Sequence, residues 1–301
     1  MHDTNEQSSF IVATIAKLTD RSRSSSSGFR LPTTLSYWTF SDIMNEVNAE
    51  TQLGKTSLAP GWTTNASFHG GFGLVNAFGV PKPSFRAYEL LHQAYDYQHP
   101  VHRRATTTAS RRTAAAAAGT TAAATAAADA LCNITTGVIA TASGNGSIQL
   151  LVYNHQEWDA PDIGHPNPSI PCRLTIVIDA SSNGSIESSG SATSSLGKQV
   201  RHGADARGGQ PLRLPSTAQI RVIDGLHANP RQKWIELGMP SYPSPAQHAA
   251  IMAASQMVTG AAPLVPVQGS AFKKQLTITA ARHSITAVNI ELDECTAEGE
   301  E

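Results

Sequence analysis

Between Arg103 and Ala130 the chain is almost pure Ala, Thr and Arg. Alanine favours helix, but the interspersed Thr and Gly119, with no apolar stripe, leave such a helix nothing to pack against. The stretch reads as a poorly ordered linker, with a frayed helix as the alternative. Whatever folds must therefore do so on either side of it, in about 100 residues before and about 170 after. Two further low-complexity stretches narrow this again. Arg21 to Thr34 contains RSRSSSSG, and Ser181 to Thr217 is rich in Ser and Gly with scattered charge.

Ahead of the linker the pattern is helix, strand, long loop, helix. Asn5–Leu18 puts Phe10, Ile11, Ile15 and Leu18 on one helical face. Leu35–Phe40 reads as a strand, and Gly54 to Val80, full of Gly, Thr, Ser and Asn, as a loop. Pro83 opens a second helix running to about Asp96, with Phe85, Tyr88, Leu91 and Tyr95 about one turn apart. Past the linker the signal changes. Ser147–Tyr153, Arg173–Asp179, Ala218–Asp224, Gln275–Thr279 and Ser284–Leu292 are short β-branched runs separated by turn residues, the signature of an antiparallel sandwich. A helical pair interrupts it at about residues 230–257: Pro230–Leu237, ended by Gly238, then a helix capped by Ser244. The expected organisation is an α/β segment over residues 1–100, a linker over 101–130, and a β-sandwich over 131–295 with an insert at about 181–217.

Charge excludes some partners. The 301 residues carry a formal net charge of -1, with 40% apolar and 15% charged side chains. No strongly basic face follows from that balance, so nucleic acid is not the expected partner. No apolar run is long enough to span a bilayer, so no membrane partner is expected. MHDTNEQSSF has neither a basic nor an apolar leader region. Cys132, Cys172 and Cys295 follow no metal-binding spacing, so no metal is assigned. One disulfide with a free thiol and three ordinary thiols both fit. Sequons begin at Asn65, Asn133, Asn145 and Asn183, and the compartment stays open. Nothing in the sequence addresses the oligomeric state.

The segment LSYWTFSDIMNE, Leu35 to Glu46, carries the chemistry. A strand that ends in polar and acidic side chains is how an α/β enzyme presents a site. Trp38 could present its aromatic face at the strand end, or pack in a core beside Tyr37 and Phe40. Asp42 suits bracing of the loop after the strand better than chemistry. FHGGFG, Phe68 to Gly73, lacks the spacing and terminal Lys of a phosphate loop, so close loop packing is the better account, with His69 bonded to backbone. His227, Asn229 and Trp234 cluster in sequence, but a Trp packed on the sandwich and an Asn fixing a turn explain them. His202, His248 and His283 show no ligand spacing, and no cofactor is assigned.

SYWTFSDIMNE, followed by FHGGFGLVNAFGVPKPSFRAYELLHQ, resembles the last barrel strand and last helix of glycoside hydrolase family 39, the family of β-xylosidases and α-L-iduronidases. HDTNEQSSFIVATIAKL is similar to the helix before that strand. LLVYNHQ and IRVIDGLHANPRQKWIELGMPSYPSPAQHAAIMAAS resemble parts of the family's accessory sandwich. Together these blocks cover about half the chain, and the low-complexity inserts have no counterpart.

The resemblance implies the last helix–strand–helix of a (β/α)8 barrel followed by a β-sandwich. It also implies retaining hydrolysis of a xyloside-like or uronide-like carbohydrate. One carboxyl group protonates the leaving oxygen while another, about 5–5.5 Å away, attacks the anomeric carbon. In the family both are glutamates on earlier strands, the first in Asn-Glu-Pro. This sequence contains no Asn-Glu-Pro, so no catalytic residue is assigned and both glutamates are expected upstream of Met1. The resemblance makes Glu46 the second of two acidic sugar ligands after the last strand. Asn45 stands in place of the first, and it can hydrogen-bond without charge. The expected substrate-binding residues are Trp38, Asn45 and Glu46. The competing reading is a non-catalytic carbohydrate-binding or interaction module built on the sandwich. At 6% aromatic residues, most outside the expected strands, it has few side chains for a sugar platform.

Overall fold

The computed structural model describes residues 3–23, 36–37, 40–42, 67–68, 70–94, 97–99, 101–103, 132, 135–143, 147–156, 171–179, 186–189 and 213–292. Most of the Ala/Thr linker lies outside these residues. The chain divides into two compact units. The first gathers Met1–Gln93, Arg221–Val258 and His283–Ile285; the second gathers Ala94–Ile220, Thr259–Arg282 and Thr286–Glu301.

The first unit is helical. Helix α1 spans Asn5–Arg23 and helix α2 spans Pro83–His92, and the two pack together. Their buried faces follow the periodicity only in part: Ile11 is buried as expected. In α1 the buried residues include Ser8, Val12, Ala16 and Thr19, whereas Phe10 is half exposed and Ile15 and Leu18 are only partly covered. In α2, Ser84, Ala87 and Leu90 are buried while Phe85, Tyr88 and Leu91 are partly covered. Small residues at i, i+3 and i+4 let two helix backbones approach closely, and a hydrophobicity count overlooks them. Helix α2 also stops at His92, short of the expected Asp96.

Two short helices complete this unit, α3 at Pro230–Glu236 and α4 at Pro245–Ala254. Asn229 caps α3: its side-chain oxygen accepts from the Gln232 N–H, and its amide donates to the Gly225 carbonyl. Ser244 caps α4 reciprocally with Gln247, each side chain taking the other's backbone N–H. Trp234 does not pack on the sandwich, as the sequence suggested. It joins Phe68, Val80 and Ile251 in a separate small core, with the Phe68 ring centroid 5.7 Å away. Its indole N–H donates to the Pro240 carbonyl at 3.0 Å. A seven-residue helix buries a Trp only against whatever faces it, and here that is the loop before α2.

The second unit is built on strands. In chain order they are β1 (Tyr97–His99), β2 (Val101–Arg103), β3 (Thr136–Ala142), β4 (Ile148–Asn154), β5 (Cys172–Asp179), β6 (Ile186–Ser189), β7 (Thr217–Ile223), β8 (Thr259–Pro263), β9 (Val265–Pro266), β10 (Lys273–Ala280) and β11 (Ser284–Ile290). They form a six-stranded sheet, β1-β3-β4-β11-β7-β8, and a five-stranded sheet, β2-β6-β5-β10-β9. The pairs β1–β3, β3–β4, β5–β6, β5–β10 and β9–β10 are antiparallel, and β2 runs parallel to β6. Alternation fixes the register: Cys172, Leu174, Ile176 and Ile178 of β5 and Leu276, Ile278 and Ala280 of β10 face one core. Ile148, Leu150 and Val152 of β4 face it from the other sheet. Two sheets around one apolar core make the arrangement of a β-sandwich. Gly137 and Tyr153 are register partners, and a Cβ on Gly137 would collide with the Tyr153 ring, so only glycine fits there.

Candidate functional site

The segment expected to carry the chemistry is described only at its edges. Ser36, Tyr37 and Phe40–Asp42 are described; Trp38, Asn45, Glu46 and His69 lie outside the described residues. What the structure builds is the anchorage of this segment. The Phe40 carbonyl accepts from the Leu74 and Val75 N–H groups, each at 3.0 Å, and the Asp42 N–H donates to the Val75 carbonyl at 3.1 Å. Ser41 thus forms a parallel bridge with Val75, and Val75 an antiparallel bridge with Pro81. Between them the chain turns on Asn76, whose side-chain oxygen accepts from the Phe78 and Val80 N–H groups. Gly79, at φ +77°, supplies the left-handed position of that turn.

Lys82 lies beneath this anchorage with no solvent exposure. Its ammonium nitrogen is 2.6 Å from an oxygen of Asp3 and 2.6 Å from one of Asp42, and it donates to the Gly71 carbonyl at 2.9 Å. Each carboxylate also takes a backbone donor: the Gly70 N–H bonds to Asp3, and the Gly73 N–H to Asp42 at 2.8 Å. Gly73 is obligatory here, because a Cβ would fall 2.5 Å from Asp42 Oδ1. Lys82 is also the N-cap residue of α2. An ammonium at a helix N-terminus is unfavourable by the helix dipole alone, so it is the two carboxylates that hold it there. Two acids and one base leave a formal charge of -1, which the two backbone donors help to disperse.

This cluster ties together four distant pieces of chain: the turn before α1, the turn after Phe40, the glycine loop and the start of α2. Asp3 and Asp42 are 1% and 2% exposed, with their oxygens directed at Lys82 and backbone amides. They therefore serve as braces, which is the role the sequence suggests for Asp42. Neither is presented to a substrate. Tyr37 stands half-buried beside them, its ring 5.5 Å from that of Tyr88 and edge-on to it. Burial, then the neighbouring Tyr88 phenol, pushes its pKa up to about 12, so it stays a neutral wall at ordinary pH.

Lys82 and Asp3 are the functional anchors that the sequence did not reveal. A Lys between two prolines, in GVPKPSF, reads as a surface residue before a helix. Only the spatial convergence of Asp3 and Asp42 marks it as buried. His202 lies outside the described residues, while the rings of His248 and His227 each have a near partner. His248 Nε2 is 3.1 Å from the Phe78 carbonyl, and His227 Nδ1 is 2.9 Å from an Asp224 oxygen. The His283 carbonyl accepts from Asn5. Among the described residues no group of three or more His, Cys, Asp or Glu could hold a metal ion, and no helix is long and apolar enough to cross a membrane.

No family model matches the sequence. The chain is 41% identical over 91 residues to a beta-xylosidase of Caldicellulosiruptor saccharolyticus, a match that takes in 30% of this chain and 14% of that relative. Among solved structures it is similar to a monomeric beta-xylosidase from Caulobacter crescentus CB15. The TM-score is 0.51 at 16% identity, covering 96% of this chain and 42% of that one. A GH39 enzyme from Xanthomonas axonopodis pv. citri aligns at a TM-score of 0.48 and 17% identity, over 96% of this chain and 41% of that one. The likeness to the Caulobacter structure is one of fold. The chain spans less than half of either solved chain and a far smaller share of the curated relative.

Proposed function

We propose that this is a partial chain of the glycoside hydrolase family 39 type and that it forms the C-terminal portion of a β-xylosidase-like enzyme. Residues 1–100 are the last helix–strand–helix of a (β/α)8 barrel, and the strands from residue 131 onward make the accessory sandwich. In the intact enzyme a retaining mechanism cleaves the O-glycosidic bond through two carboxyl groups. Neither belongs to these 301 residues, which lack Asn-Glu-Pro. Their part is to wall the sugar pocket. Trp38 offers an aromatic face to the ring, while Asn45 and Glu46 hydrogen-bond its hydroxyls. A carboxylate at Glu46 attracts neutral sugar hydroxyls and repels a uronate, which favours a xyloside over a uronide.

The observation that carries this reading is the 91-residue match to a beta-xylosidase at 41% identity. The Lys82 cluster supports it, since it fixes Asp42, which lies between Trp38 and Asn45 in sequence. The 301-residue chain alone is expected to show no turnover of an aryl β-xyloside. Turnover that disappears in Glu46→Gln would overturn the assignment, because Glu46 would then act in the chemistry itself.

A further inference from the structure

The second unit contains one covalent cross-link among the described residues. Cys132 and Cys172 are bonded to each other, with Cα atoms 5.5 Å apart and a separation of 40 positions in sequence. Cys172 opens β5, where it pairs in register with Ala280 of β10, and it is 1% exposed. Cys132 is partly buried and packs against the same apolar core. The bond therefore encloses β3 and β4, and it ties a residue four positions ahead of β3 to the first residue of β5.

We infer that this chain matures in an oxidising compartment, where the Cys132–Cys172 bond forms as a permanent clasp of the sandwich. Three observations separate a clasp from a redox switch. The two cysteines are remote in sequence, unlike the adjacent pair of an oxidoreductase. One of them is fully buried, which denies an attacking thiolate access to its sulfur. The surroundings are apolar, which disfavours the thiolate that reversible exchange requires. In a reducing cytosol both residues would remain thiols, and the long span from 132 to 172 would lose its closure. Formation is a balanced exchange. The two thiols give up two protons and two electrons to the disulfide of a thiol–disulfide oxidoreductase, which departs as a dithiol.

The test is to isolate the full chain from the cells that make it and alkylate it before any reductant is added. A joined pair of peptides containing Cys132 and Cys172 is expected on digestion. Alkylation of both residues in that sample would overturn the inference, since the chain would then have folded without the bond. The clasp role has its own readout. Reduction with an excess of phosphine should lower the melting temperature of the chain by about 5–15 °C. A Cys132→Ser, Cys172→Ser double variant should melt at the lower temperature with or without reductant. An unchanged melting temperature on reduction would refute the clasp.

Discussion

Lys82 illustrates how a single residue can hold a site without entering its chemistry. Its charge is met by Asp3 and Asp42 at 2.6 Å each. Replacing it with Met would leave two facing carboxylates in a buried space. That change should cost about 3–5 kcal/mol, the usual penalty for removing one partner of a buried ion pair. Urea unfolding of Lys82→Met measures it, and adding Asp3→Asn and Asp42→Asn to the same chain should recover part of the loss. Tyr37 offers a second measurement. Its pKa is raised from 10.0 to about 12, so the fold favours the neutral phenol. The stability this contributes is fully present below pH about 10 and is lost as pH rises through about 12. Absorbance of ionising tyrosine should therefore show Tyr37 titrating late, with Tyr88, also raised by burial, above the ordinary range, and stability should fall over that window. Tyr37 could be read as an aromatic in the sequence, but its shift could not, since that arises from burial and from Tyr88 beside it.

At the scale of elements, the signals that survive are those with a local mechanism. Ser244 before Pro245 marks a helix start, and the capping box with Gln247 is what the fold contains. Ser244→Ala should cost about 1 kcal/mol, read as a lowered urea midpoint with unchanged slope. Strands β4, β5, β7, β10 and β11 are legible because β-branched residues alternate in them. Strand β3, TGVIATA, is hidden by its Gly and Ala, and Gly137 is there to receive the Tyr153 ring. Strand β6, IESS, has one apolar residue and lies in the Ser/Gly-rich stretch, so its pairing with β5 comes from tertiary context. The buried faces of α1 and α2 escape a hydrophobicity reading for the opposite reason. Ser8, Ala16, Ser84 and Ala87 are buried there beside Ile11, Val12 and Leu90, while the aromatic residues Phe10, Phe85 and Tyr88 are exposed or only partly covered.

For the whole molecule, sequence order and spatial membership diverge. Composition places the helical pair inside the β region, yet Arg221–Val258 belongs to the unit that contains α1 and α2. The Arg86 guanidinium shows the join, donating to the Ser255 carbonyl at the end of α4 at 2.8 Å. A single proteolytic nick within 101–130 should therefore leave two pieces that co-elute on gel filtration in native buffer and separate only in denaturant. Immediate separation would contradict the division of the chain described above. The polypeptide passes from one unit to the other after residues 93, 220, 258, 282 and 285. No one cut or splice can release either unit whole. A graft that moved the strands from β3 to β11 as one segment would therefore carry α3 and α4 with it and strip Trp234 of the Phe68 and Val80 side chains that cover it.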